Sequence, residues 1–258
     1  MNFKGPTRKP SIGPLAIALV VATLNILPIA CSAPGNTPPG SPPPGTPKTY
    51  TTSFPLTENP ISEQGNWING STVGLDWGNV QTSSGSPGLA FGTVVSGGPP
   101  YSDSTAILTG SWGANQKACA TVHTVNQNSS IYEEVELRLR TTITAHSITG
   151  YELGSRVTSD GSQYLDFVRW NGPLNNWTAI GPSGIPGPGL HNGDQMCATA
   201  VGSTLTLYIN GVVIDQATDS TYTNGSPGMG FYNQGGTLGN NNDYGFTNFT
   251  ATDALTAN

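Results

Sequence analysis

Alternation of apolar and polar residues is clearest between Ser130 and Trp170, where it predicts three antiparallel strands. From Val135 to Ile143 the apolar side chains occupy odd positions, which indicates one buried and one solvent-facing side. Tyr151–Thr158 repeats the alternation, and Gln163–Trp170 is rich in aromatic and β-branched residues. Ser-Asp-Gly-Ser at 159–162 predicts the hairpin turn between these two strands. We therefore expect the solvent-facing side of this sheet to present Glu134, Glu136, Arg138, Arg140, Glu152 and Arg156.

The rest of the chain consists of short β-rich runs separated by turn signals. Examples of these signals are the Asn-Gly pairs at 171–172, 192–193, 210–211 and 224–225. No 11-residue window shows a helical stripe, and no internal repeat has a fixed period. From Tyr50 onward roughly 208 residues remain, a length that all-β sandwiches reach as one domain. The predicted fold class is all-β, a two-sheet antiparallel β-sandwich or jelly roll spanning residues 50–258.

The first 31 residues have the layout of a secretory signal peptide rather than of folded structure. Three basic residues precede the mostly apolar run Leu15–Ala30. A single-pass membrane anchor is the alternative, but prolines and an asparagine cut the run below the ~20 residues that a span needs. We therefore expect the protein to be exported.

The end of this segment, Leu27-Pro-Ile-Ala-Cys31, resembles the lipobox of bacterial lipoproteins. In that family the cysteine is lipidated after cleavage, although Leu27 stands four rather than three residues before Cys31 here. The resemblance implies lipidation at Cys31 and a place in the bacterial cell envelope; ordinary cleavage, which releases a secreted protein, is the alternative. Residues 32–49 are a Pro/Gly-rich linker with polyproline II spacing. This linker agrees with anchoring and would equally join two domains.

Charged residues are scarce, at 9% of the chain, and the basic ones are concentrated. After the linker all four arginines (138, 140, 156 and 169) lie in the predicted meander, and Lys117 is the other basic residue. They either form a cross-strand ladder with glutamates or floor a groove that grips a polar, even anionic, ligand. After cleavage six basic residues face fifteen acidic ones, a net charge of about −9. Nucleic acid is therefore excluded as a partner.

The three cysteines of the chain suggest a pairing. If Cys31 carries lipid, Cys119 and Cys197 remain as a disulfide candidate in an oxidising compartment. Both stand in strand-like stretches, and two small buried thiols are the alternative.

The stretch from Asp194 to Tyr232 resembles the concanavalin A-like lectin/glucanase superfamily, including its laminin-G-like members. The resemblance rests on strand Thr204–Ile209, the Asn210-Gly211 turn, a return strand Val212–Gln216 and the following Gly228–Tyr232. It implies a concanavalin A-like jelly roll. It leaves the activity open, because that superfamily contains lectins, binding modules, glycosidases and lyases.

Two catalytic alternatives follow from resemblances within the superfamily. Laminarinase-like glucanases carry an E-x-D-x(x)-E strand, and Glu133-Glu134-Val-Glu136 is similar to it, which makes Glu134 and Glu136 the catalytic candidates. The aspartate is missing, and we expect the following arginines to depress the carboxylate pKa values. Jelly-roll alginate lyases carry R-x-E-L-R, and Glu136-Leu137-Arg138 resembles part of it, with Val122-His123 and Tyr232-Asn233-Gln234 as further fragments. A uronate substrate would suit the arginines.

The third alternative is glycan binding without chemistry, and we favour it. Sugar rings stack on aromatic faces and bond to planar polar side chains. The loop after the meander offers such groups beside charged neighbours, with Tyr151 and Tyr164 as possible flanks. The predicted ligand-binding residues are Arg138, Arg140, Glu152, Arg156, Asp166, Arg169, Trp170, Asn175, Asn176 and Trp177.

The resemblance also implies a structural calcium, with Asp243 as the matching carboxylate and Glu58, Glu63 or backbone carbonyls completing the shell. An ordinary Asn/Asp turn is the alternative at Asp243. We expect no cofactor for chemistry. The expected partner is a polysaccharide, with membrane contact only through the N-terminal lipid; a cell-surface adhesin is a further alternative.

Overall fold

The computed structural model describes residues 46–93, 101–125, 132–157, 164–181, 185–187, 189–234 and 241–255. The predicted signal peptide, Cys31, most of the linker and the 159–162 turn lie outside these residues, so the predictions about them are untested. Within the described ranges no helix has the length and apolar character needed to cross a membrane.

The described residues form sixteen strands and two short 3₁₀ helices, Ser71–Val73 and Asn241–Asp243. The strands are β1 (Thr49–Thr52), β2 (Trp67–Asn69), β3 (Gln81–Ser83), β4 (Leu89–Phe91), β5 (Tyr101–Leu108), β6 (Gln116–Thr124), β7 (Tyr132–Thr144), β8 (Ser147–Arg156), β9 (Tyr164–Gly172), β10 (Trp177–Ala179), β11 (Ile185–Pro186), β12 (Gln195–Val201), β13 (Thr204–Ile209), β14 (Val212–Thr218), β15 (Ser226–Gln234) and β16 (Tyr244–Thr252).

Two antiparallel sheets pack as a sandwich, which confirms the predicted fold class. Sheet I has the order β14-β13-β12-β6-β16-β4-β3, with β1 also paired to β16. Sheet II has the order β10-β9-β8-β7-β15-β5-β2, with β11 also paired to β9. The predicted hairpin is present as β13 and β14, and Asn210 and Gly211 at its turn both have positive φ, 51° and 79°. Asn and Gly tolerate that left-handed backbone, which explains why the pair directs the chain back on itself here.

The sandwich core receives alternate side chains from both sheets. On β6 the buried and half-buried positions alternate strictly, and Ala118, Ala120 and Val122 point inward. On β7 the odd positions Val135 and Leu137 are fully buried in the same cluster, as their spacing predicted. Cys119 and Cys197 are direct cross-strand partners on β6 and β12, and their Sγ atoms are bonded in the structure.

The prediction that the even positions of β7 and β8 face solvent is wrong. Glu134, Glu136, Arg138, Glu152 and Arg156 are each no more than 6% exposed. They do point away from the main core, but a second apolar cluster covers part of that face. Its members are Leu75, Trp77, Ile107, Ile143, Ile148, Val168 and Trp170. The segment around Trp77 precedes β7 by more than fifty residues, so local alternation gave no sign of this cover.

Arg140 does not belong to the same face, which corrects a second prediction. A β-bulge interrupts the pairing of β7 with β8 after Leu139, and Arg140 has φ 50°. A bulge shifts the alternation of side chains, so Arg140 turns away from the row of charged residues. Its guanidinium instead donates to three backbone carbonyls, those of Ala114, Gly202 and Tyr222, at 2.7, 2.8 and 3.0 Å.

Candidate functional site

The outward face of sheet II contains a cleft of about 290 Å³. Five carboxylates line it together with aromatic side chains: Asp103, Glu134, Glu136, Glu152 and Asp166, with Tyr164, Trp170, Trp177 and Tyr232. Val168, Leu174 and Asn175 complete the lining. The cleft therefore combines many acidic oxygens with flat apolar surfaces.

Strand register brings the acidic side chains together in rows. Asp103 on β5, Tyr232 on β15 and Glu134 on β7 are successive cross-strand partners. In the next row Glu136 is flanked by Gly230 on β15 and Gly154 on β8. Residues at matched positions of antiparallel strands share one face, so each row projects into the same cleft.

The two glycines create the space that the carboxylates occupy. A Cβ at position 154 would overlap the carboxylate of Glu134, and a Cβ at position 230 would overlap the carboxylate of Glu136. The same Cβ at 230 would lie 2.6 Å from Nη2 of Arg138. The depth of the cleft floor therefore depends on missing side chains as much as on those present.

Arg138 lies beneath this floor and is completely buried. Its Nη1 donates to Glu152, its Nη2 donates to Glu136, and Asp103 Oδ1 lies 3.6 Å from Nη2. The guanidinium also stacks 5.0 Å from the ring centre of Trp77. Burial opposes the positive charge, but Glu136, Glu152 and Asp103 outweigh that effect and raise the pKa of Arg138. One arginine thus holds three carboxylates.

Glu134, Glu136 and Asp103 have raised pKa values, which corrects the expectation that nearby arginines would depress those of Glu134 and Glu136. Burial is the main cause for Glu134, followed by repulsion from Glu152; the hydrogen bond from Tyr164, at 2.7 Å, opposes it. For Glu136 burial again prevails, although Arg138 counteracts it. Burial also raises the pKa of Asp103 to about 8, against the pull of Arg138. Desolvation outweighs ion pairing at these three groups, and repulsion between neighbouring acids adds to it.

Aromatic rings form the wall at the β9–β10 end of the cleft. Trp170 is buried, donates from Nε1 to Glu152 at 2.6 Å and meets Trp77 edge to face, with ring centres 4.6 Å apart. Trp177 is its cross-strand partner on β10 and is 48% exposed. Because β10 is a short edge strand, the indole of Trp177 is open to solvent on the rim.

The structure separates the predicted ligand-binding residues into three groups. Glu152, Asp166, Trp170, Asn175 and Trp177 line the cleft, as do the catalytic candidates Glu134 and Glu136. Arg138 and Arg156 are buried residues of the same sheet face that do not line the cleft, and Asn176 is exposed in the adjoining turn.

Arg140 and Arg169 lie away from the cleft, so they are not part of the candidate site. Arg169 pairs with Asp219 at 2.5 Å and bonds to Asn171 and Thr221, on the side of β9 opposite the cleft. The lyase-like arrangement is not assembled either, since His123 is on β6 in sheet I while Tyr232 lines the cleft.

Asp103 is the acidic residue of the cleft that sequence reasoning missed. It stands on β5, which reaches the meander only through β15, more than a hundred residues later in the chain. Its signal was present in the alternation of Tyr101–Leu108, where Asp103 shares a face with Thr105 and Ile107. Trp77 left no comparable signal, because it lies in an irregular segment.

Metal binding has one candidate group among the described residues. Glu134, Glu136 and Glu152 can bring one carboxylate oxygen each within 4.8 Å of one another. Arg138 already supplies positive charge to two of them.

The predicted calcium at Asp243 stays a prediction. Its proposed partners Glu58 and Glu63 accept hydrogen bonds within their own region, from the Ser62 backbone and from the Thr52 hydroxyl. The carboxylate of Asp243 acts on Glu133. Burial, followed by repulsion from the Asp243 charge, raises the pKa of Glu133 to about 7.

A larger depression of about 600 Å³ lies on sheet I, over Cys119 and Lys117. Hydroxyl and amide side chains dominate its lining, with no carboxylate and no aromatic ring. The smaller cleft on sheet II is the better site candidate, because it combines both kinds of group and titratable residues with perturbed pKa values.

Comparisons with known proteins bear on the fold of this chain. No family model matches the sequence, and no curated protein matches it. Among solved structures, β-agarase A in complex with oligoagarose shares 12% identity at a TM-score of 0.50, over 83% of this chain and 96% of that one. The GlcNAcα1-4Gal-releasing endo-β-galactosidase from Clostridium perfringens has the same identity and score, over 83% of this chain and 64% of that one. The carbohydrate-binding module CBM66 from Bacillus subtilis shares 14% identity at a TM-score of 0.47, over 67% of this chain and 94% of that one.

The fold is thus of the concanavalin A-like jelly-roll kind. The structural neighbours comprise carbohydrate-binding modules, lectin domains and glycoside hydrolases. At these identities the likeness establishes the fold alone.

Proposed function

We propose that this protein binds a polysaccharide in the cleft of sheet II, between the carboxylates of the floor and the indole of Trp177. The observation that carries the proposal is the juxtaposition of an aromatic ring that is 48% exposed with a row of buried acids. Sugar rings present an apolar face for stacking and hydroxyl groups that donate to carboxylates. The cleft offers both kinds of contact within one enclosure.

Burial of the acids supports this assignment. A buried, densely acidic floor disfavours folding unless the groups take up protons or find partners. Glycines at 154 and 230 leave the space that the carboxylates of Glu134 and Glu136 occupy. Solved relatives of the fold include complexes with sugars, such as the agarase with oligoagarose.

The direct test is retention of the purified domain, residues 46–258, on a panel of immobilised polysaccharides. Trp177→Ala should abolish retention, because it removes the stacking surface from the rim without touching the core. Val213→Ala is the matched control, since Val213 is 51% exposed on β14 of the other sheet. Equal retention of the Trp177 variant and the parent would exclude the cleft as the binding site.

Glycoside hydrolysis is a second candidate, favoured by the spacing of the acids. Retaining glycosidases place two carboxyl groups about 5–5.5 Å apart, one ionised and one protonated. Oxygens of Glu134, Glu136 and Glu152 lie within 4.8 Å of one another. Glu152 accepts from Arg138 and Trp170, which stabilises a negative charge suited to a nucleophile. Glu134, whose pKa burial raises, is suited to hold the proton of a general acid.

Hydrolysis is tested by new reducing ends on the polysaccharides that the domain retains. Activity should vanish in Glu134→Gln and Glu152→Gln, with retained anomeric configuration in the product. Asp76→Asn, a partly exposed acid paired with His146, is the control that should keep full activity. Binding without any reducing ends leaves a binding module and excludes hydrolysis.

Export forms part of the proposal, with a signal peptide at 1–31 and a lipid on Cys31. Metabolic labelling with a fatty acid, lost in Cys31→Ala, is the measurement that tests it.

A further inference from the structure

The cleft is lined by acidic side chains and by no basic one. Five carboxylates line it, and none of the lining residues is Lys, Arg or His. Arg138 is buried and already donates to Glu136 and Glu152, and the buried Arg156 is the cross-strand partner of Glu134; neither arginine lines the cleft. An anionic sugar would therefore meet repulsion rather than a basic groove. This reverses the expectation that a uronate suits the site.

Glu134 and Asp103 are the acids of the cleft whose contacts bear on a cationic ligand. Glu134 accepts a hydrogen bond from the Tyr164 hydroxyl, a neutral donor. Oδ1 of Asp103 is buried, accepts no hydrogen bond and stands 3.6 Å from Arg138. Repulsion from Glu152 contributes to the raised pKa values of Asp103, Glu134 and Glu136. A positive charge placed here would relieve both the repulsion and the unpaired oxygen.

A ligand that carries this positive charge must also fit the volume and the aromatic rim of the cleft. At about 290 Å³ the cavity lies at the small end of ligand pockets, roughly 300–1,000 Å³. Trp177 offers a face for a sugar ring at the rim. An ammonium group has three N–H donors and no acceptor, which matches a floor made of acceptors.

We propose that the cleft selects a glycan with free amino groups, such as an unacetylated glucosamine oligomer, whose ammonium lies among Asp103, Glu134 and Glu136 while the ring stacks on Trp177. This inference rests on the proposed function, because it names the sugar class that the same cleft takes.

Isothermal titration of the domain with matched tetrasaccharides tests the proposal. At pH 7 the β-1,4-glucosamine tetramer should bind at least about tenfold more tightly than the N-acetylglucosamine tetramer, the difference of one favourable charge contact. A galacturonate tetramer should not bind. Binding of the amine should release protons, seen as a heat that depends on the ionisation enthalpy of the buffer, because the ammonium favours ionised acids. The neutral tetramer should show no such dependence.

Two charge variants separate the cleft from the acidity of the whole protein. Asp103→Asn should remove most of the preference for the amine and reduce proton release. Asp215→Asn makes the same change in net charge on β14 of sheet I and should leave the preference intact. Spermidine, a polyamine without sugar rings, should bind far more weakly than the glucosamine tetramer.

The possible failures are distinguishable. Equal, Trp177-dependent binding of both tetramers would overturn the amino-sugar inference and leave polysaccharide binding standing. Spermidine binding as tightly as the glucosamine tetramer, or an unchanged preference in Asp103→Asn, would also overturn the inference by assigning the effect to bulk charge. Binding that EDTA abolishes would identify the acids as a metal site instead. No binding of any glycan, in this titration or on the polysaccharide panel, would reject the proposed function itself.

Discussion

Replacing Arg138 with methionine removes the cation that Glu136, Glu152 and Asp103 share. Methionine preserves much of the buried volume but leaves Glu136, Glu152 and Asp103 without their shared partner. Breaking a buried ion pair on one side costs about 3–5 kcal/mol, because the remaining charge stays uncompensated. Loss of the contact with Trp77 adds about 0.5–2 kcal/mol.

The cost should depend on pH, which gives the prediction a distinctive signature. At pH 8 a buried acid of the variant either stays charged without its cation or binds a proton that the unfolded chain has released, and we expect a loss of about 4 kcal/mol in the free energy of unfolding. At pH 5 Asp103 and Glu136 can be neutral, since their pKa values are raised in the parent protein. The cost should then fall to about 1–3 kcal/mol, the range for a buried polar group without a partner.

Urea unfolding followed by tryptophan fluorescence at the two pH values measures these differences. Arg169→Met is the matched control, because the Arg169 side chain is 25% exposed and pairs with Asp219 away from the cleft. Its cost should be smaller than that of Arg138→Met at pH 8 and the same at both pH values, because burial is incomplete and the pKa of Asp219 is lowered. A loss for Arg138→Met that is the same at pH 5 and pH 8, or no larger than that of the control, would refute the account of the floor.

Three further outcomes are expected. The melting temperature of the unliganded domain should fall between pH 6.5 and pH 8. Burial raises the folded-state pKa values of Asp103 and Glu133 to about 8 and about 7, so the folded protein retains protons that the unfolded chain has released. The free energy of unfolding should therefore decrease by up to about 1.4 kcal/mol per pH unit for each group. His123, whose pKa burial lowers, acts in the opposite sense only below about pH 6.5, so a flat or rising profile above that pH contradicts the assignment. Gly154→Ala should destabilise the domain by about 1–3 kcal/mol in urea, because the new methyl group overlaps the carboxylate of Glu134, whereas Gly113→Ala meets no atom closer than 3.3 Å and should cost less. Replacing Cys119 and Cys197 by serine should cost about 2–5 kcal/mol by the same assay, because the bond joins residues 78 apart; an unchanged midpoint under reducing conditions would show that the bond does not form.

The parts of the fold that sequence predicted are those with local causes. The odd positions of β7 reached the core because period-2 alternation needs only a strand and one apolar side. Asn210-Gly211 produced the β13–β14 hairpin because its backbone geometry is encoded in two residues. The charged face of the meander, by contrast, was correctly grouped for Glu134, Glu136 and Glu152 but wrongly assigned to solvent.

The missed features have distant causes. Trp77 covers Arg138 from a segment far earlier in the chain, and Asp103 joins the acids through β15. Arg140 left the face because a bulge changed the register, which alternation cannot reveal. Charge patterning suggested either a cross-strand Glu–Arg ladder or an arginine groove. The ion pair between the cross-strand partners Arg138 and Glu152 fits the ladder, whereas the cleft is lined by acids and not by arginines. The balance between desolvation and ion pairing depends on how many acids surround each guanidinium, and only the tertiary structure determines that number.

The contacts of Arg140 affect how the loops at one end of the sandwich unfold locally. Its guanidinium bonds to the loop before β6, the β12–β13 turn and the loop before β15 at once. Loops that share a single buried clamp cannot fray independently, since each opening must break contacts with the same side chain. Amide hydrogens in these three connections should therefore exchange in one concerted event, and this end of the molecule behaves as a unit even though its segments are far apart along the polypeptide.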